Sequence, residues 1–196
     1  GEYEKAETLL SSLIAPPGQP GLLPETLVFA ARDFLREGMT EKAFILLDKA
    51  IGIYQQAKPG VYDPDLRAYR LGEALFFRQS YEAALPYLKA GYQADSLDFN
   101  FGALYAIGLY KSGKPKEAEA LLEGMKDLKA DFQFGELPYS LAQFYAATGQ
   151  PEACLENLLK AISEGHWYET GAFENDPLLK DYYDRPEFGQ VMSYWQ

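Results

Sequence analysis

The feature that most constrains this chain is a short pattern that recurs along most of its length. A small residue is followed, after three positions, by a leucine. The pattern begins at Ala43, Ala84, Ala118 and Cys154, with spacings of 41, 34 and 36 residues. Self-similarity at such a period indicates one supersecondary unit that stacks on copies of itself to bury a continuous core.

A turn signal precedes each copy of this pattern. Gly38, Gly113 and Gly149 lie five residues before the small residue, and Gln79 holds that position in the remaining unit. Glycine adopts positive φ without steric cost, which a tight turn between two helices requires. Residues that favour an N-cap or a first helical turn follow, namely Thr40, Ser80, Pro115 and Pro151. Each unit is therefore predicted to be a helix, a turn and a second helix.

The period and the motif resemble the tetratricopeptide repeat (TPR), a unit of about 34 residues with W-x2-L-G-x2-Y in its first helix and A-x3-F in its second. The best match is Leu71–Leu75, followed by Tyr81, Ala84 and Leu88. The tryptophan of the motif is absent from every unit. The late proline of the motif is replaced by Gln55, Ser96, Ala130 and His166. The resemblance implies an all-α fold, a right-handed α-solenoid of antiparallel helix pairs.

The register of the repeat also predicts how paired helices pack. Small residues that allow a close helix approach recur at Ala31, Gly72, Ala106 and Ala142. Side chains that fill the gap between the two helices follow at Phe34, Leu75, Leu109 and Tyr145.

One continuous solenoid domain is predicted, divided by the repeat register. The divisions are the second helix of a partial repeat (1–14), a Pro/Gly linker (15–23), four TPR units (24–57, 65–98, 99–132 and 135–168), a loop (58–64) and C-terminal capping helices (169–196). Ala6 lies 37 residues before Ala43, but no first helix precedes it. We expect a chain cut from a longer protein, with an N-terminal cap as the alternative.

The C-terminal part differs from the repeats. Asp176–Tyr183 and Arg185–Tyr194 are predicted to form two short helices, each with a proline near its first turn. They resemble the "DP-x-L... P-x-F" ending of many bacterial proteins of this family. A terminal repeat would otherwise expose its apolar face, so a cap is needed. The predicted plug is Leu178, Leu179, Phe188, Val191 and Trp195.

In the family, the first helix of each hairpin lines a concave surface to which partners bind. The register assigns to this surface Val28, Arg32, Leu35, Tyr69, Glu73, Phe76, Phe77, Ala103, Ile107, Tyr110, Tyr139 and Gln143. An aromatic and apolar lining suits an extended peptide or a partner helix. The alternative is that several of these residues, Phe76 and Phe77 especially, pack against neighbouring hairpins.

Some family members grip a C-terminal carboxylate with lysine and asparagine at defined groove positions. This chain has other residues there, so that clamp is predicted to be absent; the pairs are Val28 with Arg32, Tyr69 with Glu73, and Ala103 with Ile107. Arg32, Arg70 and Lys111 remain candidates for contact with an acidic group.

The charge balance constrains the partner. Carboxylates outnumber basic side chains 29 to 18, for a net charge of −11, which argues against nucleic acid and against an anionic membrane surface. A neutral or basic protein or peptide fits better. No apolar run reaches the roughly 18 residues of a membrane span. We expect a soluble protein, cytoplasmic or periplasmic.

Residues for catalysis are scarce. His166 is the only histidine and is predicted to be a surface residue, while Cys154 occupies the small-residue position and is predicted to be a core thiol. Glycine-rich phosphate motifs and the serine-hydrolase motif do not occur. Two acidic pairs, Glu117 with Glu119 and Asp181 with Asp184, fit solvated helix faces. The chain is therefore predicted not to be an enzyme and to need no cofactor or metal.

Three functions follow from this sequence. The first is a scaffold that binds a protein or peptide in an aromatic and apolar concave groove. The second is a structural or regulatory TPR module of a longer multidomain or envelope-associated protein. The third is self-association through the end hairpins, because a cut solenoid exposes an apolar face.

Overall fold

The computed structural model describes Lys5 and residues 24–58, 61, 63–128, 134–165 and 173–194. The α-helices in these ranges are α1 (Pro24–Arg36), α2 (Thr40–Gln56), α3 (Pro64–Phe77), α4 (Tyr81–Ala94), α5 (Phe99–Lys111), α6 (Pro115–Asp127), α7 (Glu136–Ala147), α8 (Pro151–Ser163) and α9 (Pro186–Ser193). A 3-10 helix spans Lys180–Tyr182. The predicted partial repeat and linker, apart from Lys5, lie outside the described residues, as do His166 and Trp195.

Consecutive helices pair into hairpins, α1 with α2, α3 with α4, α5 with α6 and α7 with α8. The first helices of successive hairpins contact one another, α1 with α3, α3 with α5 and, most extensively, α5 with α7. The second helices α2 and α4 also contact the first helix of the next hairpin. The molecule is thus an all-α helical-repeat solenoid, as the sequence predicts.

The turns within the hairpins share one backbone geometry. Gly38, Gly113 and Gly149 have φ of 76°, 78° and 74°, and Gln79 adopts the same conformation at 63°. In each turn the next amide donates to the carbonyl five residues earlier: Met39 to Phe34, Ser80 to Leu75, Lys114 to Leu109 and Gln150 to Tyr145. This bond satisfies a carbonyl that the helix end would leave unpaired. The predicted glycine turns are confirmed, and Gln79 shows that the stack imposes the geometry even on a residue with a Cβ.

Of the two predicted N-caps, Ser80 is confirmed by position and Thr40 is wrong. Thr40 is the first residue of α2 rather than its N-cap, and Ser80 precedes α4 without a side-chain hydrogen bond to it. The N-cap residues Met39 and Ser80 both have ψ of 58°, away from the extended conformation that aims a hydroxyl at the first amides. Side-chain caps occur instead at two of the first helices, where Asp63 is the N-cap of α3 and Asp98 is the N-cap of α5.

The small residues in the hairpins are buried at close helix contacts. A Cβ added to Gly72 would lie 3.0 Å from the backbone nitrogen of Leu88 and 3.0 Å from the Cβ of Tyr87. Gly124, within α6, has nothing within 4 Å of the same position.

These two glycines give a matched pair of variants. Gly72→Ala should lower the free energy of unfolding by about 1–2 kcal/mol, because overpacking against a backbone atom outweighs the gain in helix propensity. Gly124→Ala should raise it by about 0.5–1 kcal/mol, since only the propensity changes. Urea unfolding followed by circular dichroism measures both. Equal effects of the two substitutions would contradict the close contact at Gly72.

Candidate partner-binding surface

The residues predicted to line a groove all lie on the first helices α1, α3, α5 and α7, which together form the first-helix face. Most of them are buried among the helices: Val28, Tyr69, Glu73, Phe76, Phe77, Ala103, Ile107, Tyr139 and Gln143. Arg32 and Leu35 are half-buried, and Tyr110 is exposed. Phe76 packs edge-to-face against Phe77 and against Tyr81 of α4, so it contributes to the packing within its own hairpin. Partner binding by these residues stays a prediction.

A cavity of about 390 Å³ opens between the first helices and is here called the arginine pocket. Its lining is Phe29, Arg32, Leu66, Tyr69, Arg70, Glu73, Phe77, Asp98, Asn100, Phe101, Leu104, Gln143 and Leu178. The first helices of all the described hairpins contribute to it. Since Phe29 and Leu66 are 51% and 46% exposed, the pocket offers apolar surface that water now covers.

The charged groups of the arginine pocket converge on one carboxylate. Glu73 is buried, and its two oxygens lie 2.8 Å from Nη1 of Arg70 and 3.4 Å from Nη1 of Arg32. The Nε of Arg70 is buried without a hydrogen-bond partner among the described residues. Asp98 also lines the pocket, where its carboxylate accepts hydrogen bonds from the amides of Asn100 and Phe101. Two guanidiniums thus face two carboxylates, and the pocket provides directional donors rather than net positive charge.

Aromatic rings surround these guanidiniums. The Cζ of Arg32 lies 5.0 Å from the ring centre of Phe77, and that of Arg70 lies 5.4 Å from Tyr69. Tyr69 in turn stacks on Phe101 at 3.6 Å between ring centres. Such cation–π and stacking contacts hold the guanidinium planes in place. The arrangement suits a ligand that combines an apolar side chain with a hydrogen-bond acceptor.

Residues 173–183, here called the strap, cross the same face. The buried carboxylate of Asp176 accepts hydrogen bonds from the hydroxyl of Tyr139 and, at 2.7 Å, from Nε2 of Gln143. The ring of Phe173 stacks on Tyr139 at 5.2 Å. At the other end of the face, Nζ of Lys180 donates to the carbonyl of Leu35 at 3.3 Å. The strap therefore connects α7 to α1 across the stack.

Leu178 of the strap lines two cavities. One is the arginine pocket, and the other, of about 320 Å³, also contacts Lys111 and Ile107. Among the three basic residues predicted to meet an acidic group, the structure brings Arg32 and Arg70 together. Lys111 lies beside the second cavity.

The strap also corrects a prediction. The first of the two short C-terminal helices, expected over 176–183, is a series of turns with a single 3-10 helix at Lys180–Tyr182. The carboxylate of Asp176 accepts a hydrogen bond from the amide of Leu178, and this local bond competes with a helical one. The second helix is present as α9 (Pro186–Ser193).

The residues of the predicted plug are divided between two apolar clusters. Leu179, Phe188 and Val191 are buried in a cluster that includes Leu158 and Cys154 of α8. Leu178 packs instead against the larger cluster of the preceding hairpins. Whether this segment acts as the cap of the array stays a prediction.

The groups considered for catalysis do not form a catalytic cluster among the described residues. Cys154 is fully buried, as predicted for a core thiol, and burial raises its pKa to about 12. Such a thiol is not ionised at neutral pH. Glu117, Glu119, Asp181 and Asp184 are exposed. Within the described ranges, no three metal-binding side chains cluster together. No helix in those ranges has the length and apolarity needed to cross a membrane.

The stacked hairpins define the class of protein, an all-α helical repeat built from antiparallel helix pairs. No protein-family model and no curated protein matches the chain. The solved structures to which it is similar include "MamA MSR-1 C2", at 20% identity and a TM-score of 0.46 over 84% of this chain and 87% of that one. Another is "MamA AMB-1 C2221", at 20% identity and a TM-score of 0.42 over 83% of this chain and 89% of that one. At TM-scores below 0.5, these similarities bear on neither the binding surface nor the partner.

Proposed function

We propose that this chain is a protein- or peptide-binding TPR scaffold whose partner contacts the first-helix face. The observation that carries the proposal is the arginine pocket, an open cavity with exposed apolar side chains beside two oriented guanidiniums. An apolar anchor entering such a pocket removes surface from water, and guanidinium donors add direction. The Nε of Arg70, buried and without a hydrogen-bond partner in the described part of the chain, supports the same proposal, because an acceptor from a partner would satisfy it.

The charges of the chain limit which partners can bind. A net charge of −11 repels an acidic protein at long range, so the partner is neutral or basic overall. At the contact itself, it supplies an apolar side chain and a carbonyl or carboxylate oxygen for the guanidiniums of Arg32 and Arg70. The groove thus binds a local motif rather than a charged surface.

A second candidate is a structural or regulatory TPR module of a longer multidomain or envelope-associated protein. The observation in its favour is that most of the predicted groove residues are buried between helices and that the strap crosses the face. On that reading the first-helix face is part of the core. Self-association through the end hairpins also stays a prediction.

Substitution of exposed residues in the arginine pocket tests whether the partner binds there. Phe29→Ala with Leu66→Ala removes apolar contact area at little cost in stability, because both side chains are largely exposed. The matched control is Ile45→Ala with Leu159→Ala, which removes side chains 50% and 41% exposed on the second helices α2 and α8.

The expected result is that proteins captured from lysate by the wild-type chain bind the pocket variant about tenfold or more weakly, as loss of an apolar anchor implies. The control variant should retain them. Circular dichroism verifies that both variants keep the wild-type helix content. Equal capture by all three chains would move the binding surface away from the arginine pocket and favour the structural module.

A further inference from the structure

In the arginine pocket, one carboxylate is shared by two guanidiniums. The side chain of Glu73 is 3% exposed, and its oxygens accept from Nη1 of Arg70 at 2.8 Å and from Nη1 of Arg32 at 3.4 Å. Within the described part of the chain, neither guanidinium forms another hydrogen bond or ion pair. Since a guanidinium carries five N–H donors, several donors of this pair are left without an acceptor. The two positive charges also exceed the charge of Glu73 by one.

Asp98 balances the charge of the pocket as a whole but does not pair with the guanidiniums. Its carboxylate is the N-cap of α5 and accepts from the amides of Asn100 at 3.1 Å and Phe101 at 3.3 Å. The helix end that it caps carries a partial positive charge of its own. No ion pair joins Asp98 to an arginine among the residues that the structure describes. The excess positive charge therefore stays local to Arg32 and Arg70.

Both guanidiniums can be reached from solvent. The side chains of Arg32 and Arg70 are 31% and 26% exposed, and both line the cavity. The ring of Phe77 beside Arg32 and the ring of Tyr69 beside Arg70 limit their movement. A carboxylate that enters the cavity thus meets oriented donors that are partly shielded from water. Charge-assisted hydrogen bonds are stronger in such a place than on an open surface.

Exposed apolar side chains lie beside Arg70 on two helices. The ring centre of Phe29 on α1 is 5.9 Å from the Cζ of Arg70. Leu66 lies four positions before Arg70 on α3 and shares its face of the helix. Both side chains line the cavity and are about half exposed. A segment that continues on both sides of its acidic residue can cover both of them, which favours a side-chain carboxylate over a chain terminus.

From these observations we infer that the arginine pocket binds the carboxylate of an aspartate or glutamate side chain, within a partner segment that carries apolar residues on both sides of it. The carboxylate accepts from N–H groups of Arg32 and Arg70 that Glu73 does not use. A phosphate group fits less well, because it carries nearly two negative charges at neutral pH and Asp98 repels the second. The inference rests on the proposed function and names the chemistry of the partner's anchor.

Short peptides with blocked ends serve as probes, titrated to about 10 mM into the full chain and followed by NMR. Acetyl-Leu-Glu-Leu-amide should bind at least about tenfold more tightly than its glutamine analogue, because the amide cannot form the charge-assisted hydrogen bonds. The Nε–H signals of Arg32 and Arg70 should shift during the titration. The signal of Arg78 should not, since its Nε already donates to Asp48 at 2.8 Å.

Two further peptides test the source of the negative charge. One has phosphoserine in place of the glutamate, and the other has glutamine there and a free C-terminus. Each should bind more weakly than the glutamate peptide. Tighter binding of either one would overturn the assignment to a side-chain carboxylate, in favour of a phosphorylated segment or of a chain terminus.

Arg32→Gln removes the excess charge while Arg70 still pairs with Glu73. It should lower the affinity for the glutamate peptide about tenfold, to that of the glutamine peptide. The matched control is Arg78→Gln. Arg78 is 33% exposed, lies over the ring of Phe44 and pairs with an aspartate outside the pocket, so its loss changes the net charge equally.

The control should keep the preference for glutamate, and circular dichroism verifies the helix content of both variants. Equal affinity of the wild type for the glutamate and glutamine peptides would overturn the inference. So would the absence of binding, or a preference for glutamate that survives Arg32→Gln.

The outcomes separate this inference from the proposed function. If the Phe29 and Leu66 variant loses its partner while Arg32→Gln keeps it, the scaffold function stands and the anchor is not a carboxylate. If the glutamate peptide binds through Arg32 while the Phe29 and Leu66 variant keeps its partner, the pocket binds acidic segments and the captured partner binds elsewhere.

Discussion

Replacement of Phe188 by alanine should lower the free energy of unfolding by about 3–5 kcal/mol, the usual cost of a buried phenylalanine. Phe188 on α9 is 2% exposed in the apolar cluster that holds Leu179 and Cys154, and its ring lies 5.6 Å from that of Tyr183. The cavity left behind would remove contacts from the strap and from α8 together. Urea unfolding and the melting temperature, which falls about 2–4 °C per kcal/mol in a chain of this size, measure the loss.

Tyr194 gives the control for this variant. It follows α9 immediately and is 72% exposed, so Tyr194→Ala should change stability by no more than about 0.5 kcal/mol. If Phe188→Ala lowered the free energy of unfolding no more than Tyr194→Ala does, the result would contradict the packing of α9 on the last hairpin.

We also expect a large loss of stability at alkaline pH. Burial raises the pKa of Tyr54, Tyr69 and Tyr139 well above the ordinary tyrosine value, and the nearby carboxylates of Glu25, Glu73 and Asp176 add to this. In the unfolded chain these hydroxyls lose their protons near pH 10. The folded state then binds more protons than the unfolded state, and stability falls as pH rises above about 10.

With three such groups, the loss reaches roughly 4 kcal/mol per pH unit above their unfolded pKa. Because small domains are marginally stable, we expect cooperative unfolding about one to two units above pH 10. Absorbance of tyrosinate at 295 nm and helicity at 222 nm are recorded in one titration, and the last part of the absorbance, from the buried hydroxyls, should rise as helicity is lost. Tyr69→Phe should move the midpoint to higher pH. Full tyrosinate absorbance with unchanged helicity would contradict the burial of these hydroxyls.

Much of the fold was predictable because its turns are local. Gly38, Gly113 and Gly149 adopt positive φ as expected, since the steric limits on that conformation act within one residue. The repeat register also predicts the position of Cys154 in the core, because Cys154 occupies the small-residue position of its unit. The N-caps were less predictable, because the N-cap residues Met39 and Ser80 directly follow a positive-φ residue, and the turn sets their backbone angles.

The candidate site was predictable only in part. The register places Arg32 and Glu73 on first helices, and the structure joins them through a contact 41 residues apart in sequence. The partner role of Asp176 was missed, since an Asp-Pro pair in a predicted helix signals a helix start and not a ligand for Tyr139. The sequence signal that could have indicated such an acceptor is the spacing of Tyr139 and Gln143, since residues four positions apart lie on the same face of a helix.

The sequence by itself determined the hairpins, their turns and the small residues at their contacts, because these depend on backbone sterics and on a hydrophobic period that neighbours in the chain share. Only the tertiary structure decided that Lys180 reaches the carbonyl of Leu35, 145 residues away, and that Leu178 lies beside the arginine pocket. Such contacts depend on the angles at which successive hairpins stack, and small rotations at each junction add up along the solenoid.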